Sequence, residues 1–546
     1  MRAADLIVKC LEAHGIERVY CVPGESYLAL LDALYDSPIK TIICRHESGA
    51  GFMAVAEARL TGKPAVFLVS RGPGATNGSI AIHVAEQDAT PVLLFIGQVS
   101  REERSRGAFQ EIDYGQFFGN MAKGVFEIHD GGKIGEIVTR SLRLASEGKP
   151  GPVIISLPED VLSDEAGETI PSPFPIAVAH HGASDIAAIQ AMIEGADNPI
   201  VIAGAMFRGA KGAAALHRFA EALRIPVAVT WKNQDIFDNG SPLYAGHLGF
   251  GNPPKHRQVL ANADLIIAVG TRLGDVASLN YTFPTSPEPK QKLIHIYPDG
   301  EAIGKIFRTD LGLIADPAAV LSDLAAHPRV VSSARESWSS SINEFIREFQ
   351  RFTSPEPNDA VDFGKVVVSI AAQAPDNAVI TTDAGNMSTW VHRHWVMTPK
   401  NTLLGAIAGA MGFGVPTAVA AAIVDDTRMA ITFVGDGGVL MTGQELATAV
   451  QYGAKPKIVI SDNGIYGTIR THQEKHYPHR VSGTDLVNPD FTLWVKSFGV
   501  FAVTITLGDD VDAKVKEFLD HDGAAVLHVK SSTEALSAYS TLSSLN

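Results

Sequence analysis

Cysteine is scarce: Cys10, Cys21 and Cys44 are the only three in 546 residues, and their spacing matches no metal-ligand pattern. That excludes a disulfide framework and a cysteine zinc site, and fits reduced, buried thiols in a cytoplasmic protein. Positive charge is also short, with 45 Lys and Arg against 60 Asp and Glu and a formal net charge of −15. Nucleic acid is set aside as a partner, because phosphate binding needs clustered Lys and Arg. No run of about eighteen apolar residues free of charges occurs, so no membrane span is expected. The opening MRAADLIVKCLEAHG is interrupted by Asp5, Lys9 and Glu12. It reads as an amphipathic helix, not as the apolar core of a signal peptide.

What the chain has in abundance is short apolar runs separated by Ala-rich, helix-compatible stretches, the alternation of a doubly wound α/β fold. KPAVFLVS (63–70), TPVLLFIGQ (90–98) and PVIISLP (152–158) form a first group. PIVIAGA (199–205), PVAVTW (226–231), DLIIAVGTRL (264–273) and KLIHIYP (292–298) form a second. AVITTDAG (378–385), RMAITFVGDGG (428–438), PKIVISDNG (456–464) and AAVLHVK (524–530) form a third. The expected domains are 1–170, 185–330 and 356–532, joined by Pro- and Ser-containing linkers near 163–184 and 351–359. SWSSSINEFIREFQ, before the second linker, reads as a solvated helix, and the Ser-rich tail after 530 as loosely ordered. The first and third groups share one grammar of strand, Gly-rich turn, Ala-rich helix and strand. Two outer domains of similar topology around a different middle one are therefore expected.

FVGDGG (433–438) raises the question of chemistry. An apolar strand stops on Asp436, flanked by glycines. The next strand-like run, one helix and two turns later, stops on Asp462-Asn463-Gly464. Parallel strands of a βαβ unit end on the same edge of the sheet, so Asp436 and Asn463 should lie close together there. One carboxylate, one amide oxygen and nearby carbonyls form a hard, oxygen-rich site suited to Mg²⁺ that keeps part of its shell for phosphate oxygens and water. The glycines then give clearance for a diphosphate, and the following helix adds N–H donors. GDGG alone reads as a capped turn; the pairing with Asn463 favours the metal–diphosphate reading.

This pairing resembles the thiamine diphosphate fingerprint of the pyruvate oxidase, acetolactate synthase and 2-keto acid decarboxylase superfamily. The resemblance runs through nearly the whole chain, in RHESGAGFMAVAEARLTGKPAV (45–66), GPGATN (72–77), AFQEID (108–113), GAMGFGVP (409–416) and IYGTIRTHQE (465–474). It is closest to acetolactate synthase large subunits, whose pattern includes Phe109, Gln110 and Lys123. It implies three α/β domains with parallel sheets, the middle one Rossmann-like, and a catalytic Glu47 that activates the cofactor through its pyrimidine ring. It implies cofactor contacts from Pro23, Asn77, Asn386, Met387, Gly409, Met411, Asp436, Gly437, Gly438, Asn463 and Ile465, with Mg²⁺ on Asp436, Asn463 and the carbonyl of Ile465. Met411 stands for the bulky residue that bends the cofactor. Asn386 and Met387 stand where Gln and His are usual, so their diphosphate contacts depart from the pattern. Because Glu47 and Asp436 lie in different domains, the resemblance also implies a homodimer or homotetramer with each site between subunits.

Four positions bear on the substrate. Glu25 and Ser26 replace small residues in the loop facing the cofactor, and Arg71 replaces Ser. Arg71 suits a bidentate carboxylate contact or an ion pair with Glu25. His472 stands where a Trp is found in acetolactate synthases that prefer larger acceptors. Glu25, Arg71, Gln110 and His472 are the expected substrate pocket, while His180 and His181 belong to the linker surface. DLIIAVGTRLGDV, with Arg272, resembles flavin-contacting segments, but the neighbouring positions differ and the balance falls against FAD. The implied activity is thiamine diphosphate- and Mg²⁺-dependent decarboxylation of a 2-keto acid with ligation to a second carbonyl. A non-oxidative decarboxylase or C–C lyase is the alternative, and a cofactor-binding paralogue without activity comes behind both. A nicotinamide dehydrogenase is disfavoured, because no well-formed GxGxxG lies between a strand and a helix.

Overall fold

A computed structural model describes residues 1–327 and 334–545. It contains three six-stranded sheets, all strands parallel. The first is built from β1 (Arg18–Cys21), β2 (Lys40–Ile43), β3 (Ala65–Val69), β4 (Val92–Gln98), β5 (Gly124–Glu127) and β6 (Pro152–Pro158), in the order β2-β1-β3-β4-β6-β5. The second holds β7 (Pro199–Ala203), β8 (Val227–Thr230), β9 (Tyr244–Leu248), β10 (Leu265–Val269), β11 (Lys292–Ile296) and β12 (Leu311–Leu313), in the order β12-β11-β10-β7-β8-β9. The third comprises β13 (Val379–Thr382), β14 (Thr402–Gly405), β15 (Ala430–Gly435), β16 (Lys457–Asp462), β17 (Phe501–Ile505) and β18 (Ala525–Lys530), in the order β14-β13-β15-β16-β18-β17. Counted within each domain, the outer sheets share the order 2-1-3-4-6-5, and the middle sheet has the doubly wound Rossmann order 3-2-1-4-5-6.

Every apolar run noted above contains a strand, because strands covered by helices on both faces are apolar along their whole length. Of the seven strands without a noted run, β2, β5, β9, β12, β14 and β17 are sheet edges, and β2, β5, β12 and β17 are partly exposed; β1 is internal and buried, and at four residues was too short to stand out. Among the described residues no helix is long and apolar enough to cross a membrane. All three cysteines are free and buried. The expected end of the middle domain at 330 falls outside the described residues.

Two segments depart from expectation. Helix Ala334–Gln350 is not wholly solvated, since Trp338, Ile342 and Ile346 recur every fourth residue and sit in the middle core. Trp338 Nε1 donates to the carbonyl of Pro199 at 2.9 Å, and the Arg335 guanidinium reaches the carbonyls of Leu223 and Ala196. The single apolar stripe was hidden by the polar residues around it. The Ser-rich tail is likewise packed. Ala535 and Leu536 are buried, Asp359 accepts from the Thr533 amide at 2.8 Å, and Ala538 N–H donates to Thr389 Oγ1 at 3.0 Å.

The outer domains meet through two helices that are buried along most of their length. Helix Glu47–Thr61 packs on helix Gly414–Val424, with Phe52 and Phe413 edge to face at 5.3 Å. Arg59 crosses this junction, bonding the carbonyls of Leu403 at 2.8 Å and Gly405 at 2.9 Å and pairing with the buried Asp88 at 3.0 Å. One core cluster therefore runs through both outer domains.

Candidate functional site

The third sheet carries a cavity of about 250 Å³ at its C-terminal edge. In the β15–β16 register Gly435 lies opposite Ser461, so the chain leaves both strands side by side. β15 ends at Gly435 and a helix begins at Asp436. Asp436 is 3% exposed; it accepts from the N–H of Gly437 at 2.9 Å, from Gly464 at 2.8 Å and from the Asn488 amide at 2.8 Å. The Gly464 bond brings the Asp-Asn-Gly turn to Asp436, as the spacing required. Asn386, Met387, Gly409, Met411, Asp436, Gly437, Gly438, Asn463 and Ile465 all line this cavity.

The two neighbouring carboxylates have opposite electrostatics. Burial pushes Asp436 up to about 6 against its N–H donors, and the charge of Asp462 adds to the effect. Asp462 is also opposed by burial, yet His528 at 2.8 Å, Lys530 at 2.7 Å and Asn488 at 2.8 Å outweigh it. Its carboxyl is held well below the usual carboxylate range. Asp462 thus serves as a fixed anion that Asn488 shares with Asp436. The strand-end position of Asp462 was visible in the sequence, whereas nothing marked Asn488 in its loop.

The donor set fits a diphosphate with Mg²⁺. Asp436 and Asn463 would supply hard oxygen ligands, the Asp436–Thr442 helix presents its first N–H groups, and Gly409, with φ +69° and nothing within 4 Å of a Cβ placed on it, leaves the floor open. Gly437 has a different reason, since a Cβ there would stand 2.5 Å from the Tyr466 ring. Asn386 does not extend freely into the cavity. Its side chain donates to Thr471 Oγ1 at 3.1 Å and accepts from Thr468 Oγ1 at 3.0 Å.

The N-terminal residues gather at the equivalent edge of the first sheet. Glu47 opens its helix behind His46, whose ring nitrogen caps the Ser48 N–H at 3.1 Å. Asn77 Nδ2 donates to Glu47 Oε2 at 3.0 Å. Pro23 and Glu25 follow β1, Arg71 follows β3, and Gln110 packs on Gly72, where a Cβ would meet it at 2.8 Å. Arg71 pairs with Glu25 at 3.6 Å, but its shorter partner is Glu159 at 2.7 Å, a strand-end acid after β6 that sequence reasoning passed over. His472 stands apart, exposed on helix Gly467–His476 and stacked on His476. None of Pro23, Glu25, Glu47, Arg71, Asn77, Gln110 or His472 lines the cavity of the third sheet in the same chain.

A second cavity, of about 410 Å³, opens at the C-terminal edge of the middle sheet, where β7 and β10 diverge. Arg272 lines it and gives a hydrogen bond to Gln87 at 2.6 Å. His180 is exposed as expected, but His181 is not: its side chain is only 11% exposed, with Nε2 2.7 Å from Asp323.

Family models agree with this division. "Thiamine pyrophosphate enzyme, N-terminal TPP binding domain" matches residues 1–117, the central domain of the same family matches 186–324, and the C-terminal TPP binding domain matches 383–529. An acetolactate synthase large subunit of Parasynechococcus marenigrum is 32% identical over 96% of this chain and 85% of its own length. The isozyme 1 and isozyme 2 large subunits of Escherichia coli are 32% and 30% identical, each over 97% of this chain and over 94% and 95% of their own lengths. The chain belongs to the thiamine pyrophosphate enzyme family. Within that family it is a thiamine diphosphate-dependent enzyme of the acetolactate synthase type, whose chemistry is 2-keto acid decarboxylation with carboligation.

Proposed function

We propose that this enzyme takes a small 2-keto acid such as pyruvate, releases CO₂, and joins the remaining acyl unit to the carbonyl carbon of a second substrate. The cofactor, when bound, supplies the electron sink that makes loss of CO₂ feasible. The observation that carries the reading is the convergence of Asp436, Asn463 and the Gly409–Met411 turn on one cavity. In this reading Asp436, Asn463 and the Ile465 carbonyl hold Mg²⁺, and the glycine-rich turn with its helix N-terminus holds the diphosphate. Glu47, oriented by Asn77, holds the proton that the pyrimidine ring must share. Arg71 keeps its guanidinium between Glu25 and Glu159. Gln110 and His472 complete the proposed pocket.

Glu47 and Asp436 serve different cavity edges of one chain, so a complete site is proposed to form between two subunits, in a homodimer or in a homotetramer built from such pairs. The net reaction moves no electrons between substrate and product, so FAD has no redox role in it. The chain is assigned to the cytoplasm on its free cysteines. Product analysis with pyruvate, with and without thiamine diphosphate and Mg²⁺, tests the reading. Cofactor-dependent acetolactate supports it; acetaldehyde without acetolactate would make the enzyme a simple decarboxylase. If the protein turns over no 2-keto acid tried, with or without added aldehyde acceptors, the proposal fails.

A further inference from the structure

Asp383 follows β13 and is wholly buried, yet it has no part in the site as described so far. Its carboxylate receives the Gly412 N–H with both oxygens, at 2.9 and 3.0 Å, and the Gly414 N–H at 3.4 Å. It also receives the N–H of its neighbour Ala384 at 2.6 Å. Gly412 lies next to Met411, which lines the cofactor cavity. The same carboxylate lies against the other wall of that cavity, because a Cβ on Gly438 would stand 2.9 Å from Asp383 Oδ2. The second glycine after Asp436, expected to clear a diphosphate, therefore also clears Asp383. A single carboxylate thus touches the Asp436–Gly438 turn and the Gly409–Gly414 turn.

The middle domain supplies the countercharge. Lys232 is fully buried, with φ +60° and with Nζ 4.6 Å from the Trp231 ring centroid. Its stem lies where a Cβ on Gly405, at the end of β14, would meet it at 2.7 Å. Among the described residues Lys232 Nζ has no hydrogen-bond partner, and Asp383 is one of the two carboxylates that attract it. A buried, unpaired ammonium in a left-handed backbone conformation is costly twice over. The carboxylates whose charge it feels are Asp88 first and Asp383 second.

We propose that Asp383 is a positioning residue for the cofactor. It fixes the Met411 turn against the Asp436–Gly438 turn, so that the wall expected to bend the cofactor stands at a set distance from the wall expected to hold its diphosphate. Asp383 touches neither cofactor nor substrate and acts through Gly412 and Gly438. The Oγ1 of Thr442 holds the same turn from the other side, donating to the Gly412 carbonyl at 2.6 Å.

This inference rests on the cofactor reading above, and titration of the full-length protein with thiamine diphosphate and Mg²⁺ separates the two. Asp383→Asn keeps the side-chain shape but turns an N–H donor toward the Gly412 or Gly414 N–H. The variant should bind thiamine diphosphate about tenfold more weakly, with an altered near-ultraviolet circular dichroism signature of the bound cofactor. In a Met411→Ala background the same substitution should cost no more than about twofold, because the wall it positions is already gone. Wild-type affinity and signature in Asp383→Asn would overturn the proposal, as would an undiminished loss in the Met411→Ala background. If Asp383→Asn does not fold, Thr442→Val releases the other tether of the turn and should weaken binding in the same direction, and unchanged affinity there overturns it. A wild-type protein that gains no thermal stability from thiamine diphosphate with Mg²⁺ would overturn the cofactor reading itself, and this inference with it.

Discussion

The two outer domains repeat one strand order but carry opposite equipment at the same edge. The first sheet ends its strands on side chains: Glu25, Arg71, Glu159, and Glu47 with its partner Asn77. The third ends them on glycine-rich turns around a few oxygens, which line the cavity proposed for the cofactor. Topology therefore decides where loops converge, and the turn residues decide what the convergence does. In the proposed reading, one domain exchanges protons and meets substrate, and the other holds a charged ligand still.

The sharpest way to break this division is to exchange a carboxylate for its amide in each domain. Glu47→Gln should lower kcat by about 10²- to 10⁴-fold while thiamine diphosphate affinity changes little, measured by steady-state turnover and by cofactor titration. Asp436→Asn should do the reverse in kind, weakening Mg²⁺-dependent cofactor binding by about a hundredfold and abolishing the thermal shift that cofactor and metal produce. If both variants failed in the same parameter, the separation of roles between the domains would be wrong.

A third substitution tests how the halves are joined. Glu445, wholly buried in the third domain, accepts from the N–H of Arg45 at 3.0 Å and of His46 at 3.0 Å and from the Thr448 hydroxyl at 2.6 Å. Arg45 and His46 immediately precede Glu47, and a Cβ on Gly49 would stand 2.4 Å from Glu445. Glu445→Ala strands these donors, and chemical denaturation should show a loss of about 3 kcal/mol. A loss under about 0.5 kcal/mol, the range of an ordinary surface substitution, would mean the domains do not depend on this contact.

The smallest effect concerns the middle domain, which the outer pair sets in relief. Burial holds His256 down at about 4, with the Ala245 carbonyl 2.9 Å from its ring nitrogen. A histidine with a depressed folded pKa is neutral in the fold, so its contribution is intact above about 6.5 and is lost as pH falls toward 4. Between pH 6.5 and 5.5 that loss is about 1 kcal/mol. Urea denaturation of the wild type and of His256→Asn at the two pH values should differ by that amount, with the variant the flatter; parallel slopes would exclude His256 as the source.

Much of the fold was legible because buried parallel strands are apolar throughout, and every core strand of the third sheet announced itself. The edge strands did not; β5, for example, holds only Val125 and Phe126 between Gly124 and Glu127, too short an apolar run to stand out. The pair of Asp436 and Asn463 was legible because register in a βαβ unit is a local matter. Arg71 was recognised as a charged group seeking a partner, but Glu159 lies far along the chain, and only the packing of β4 against β6 brings it near. Helix Ala334–Gln350 was misjudged because three buried apolar residues, Trp338, Ile342 and Ile346, suffice to dock a helix when a groove awaits them.

The sequence by itself determined the class of fold, the sheet edge where Asp436 and Asn463 meet and the residue types gathered there, because strand periodicity and turn chemistry act over a few neighbours. Tertiary structure alone decided which buried groups hold those turns in place. Asp383 against Gly412 and Gly438, Glu445 against the turn before Glu47, and Lys232 reaching in from the middle domain all join segments distant in the chain. A buried charge gains its meaning from the donors and countercharges packed around it, and those are assembled only when the three domains close on one another.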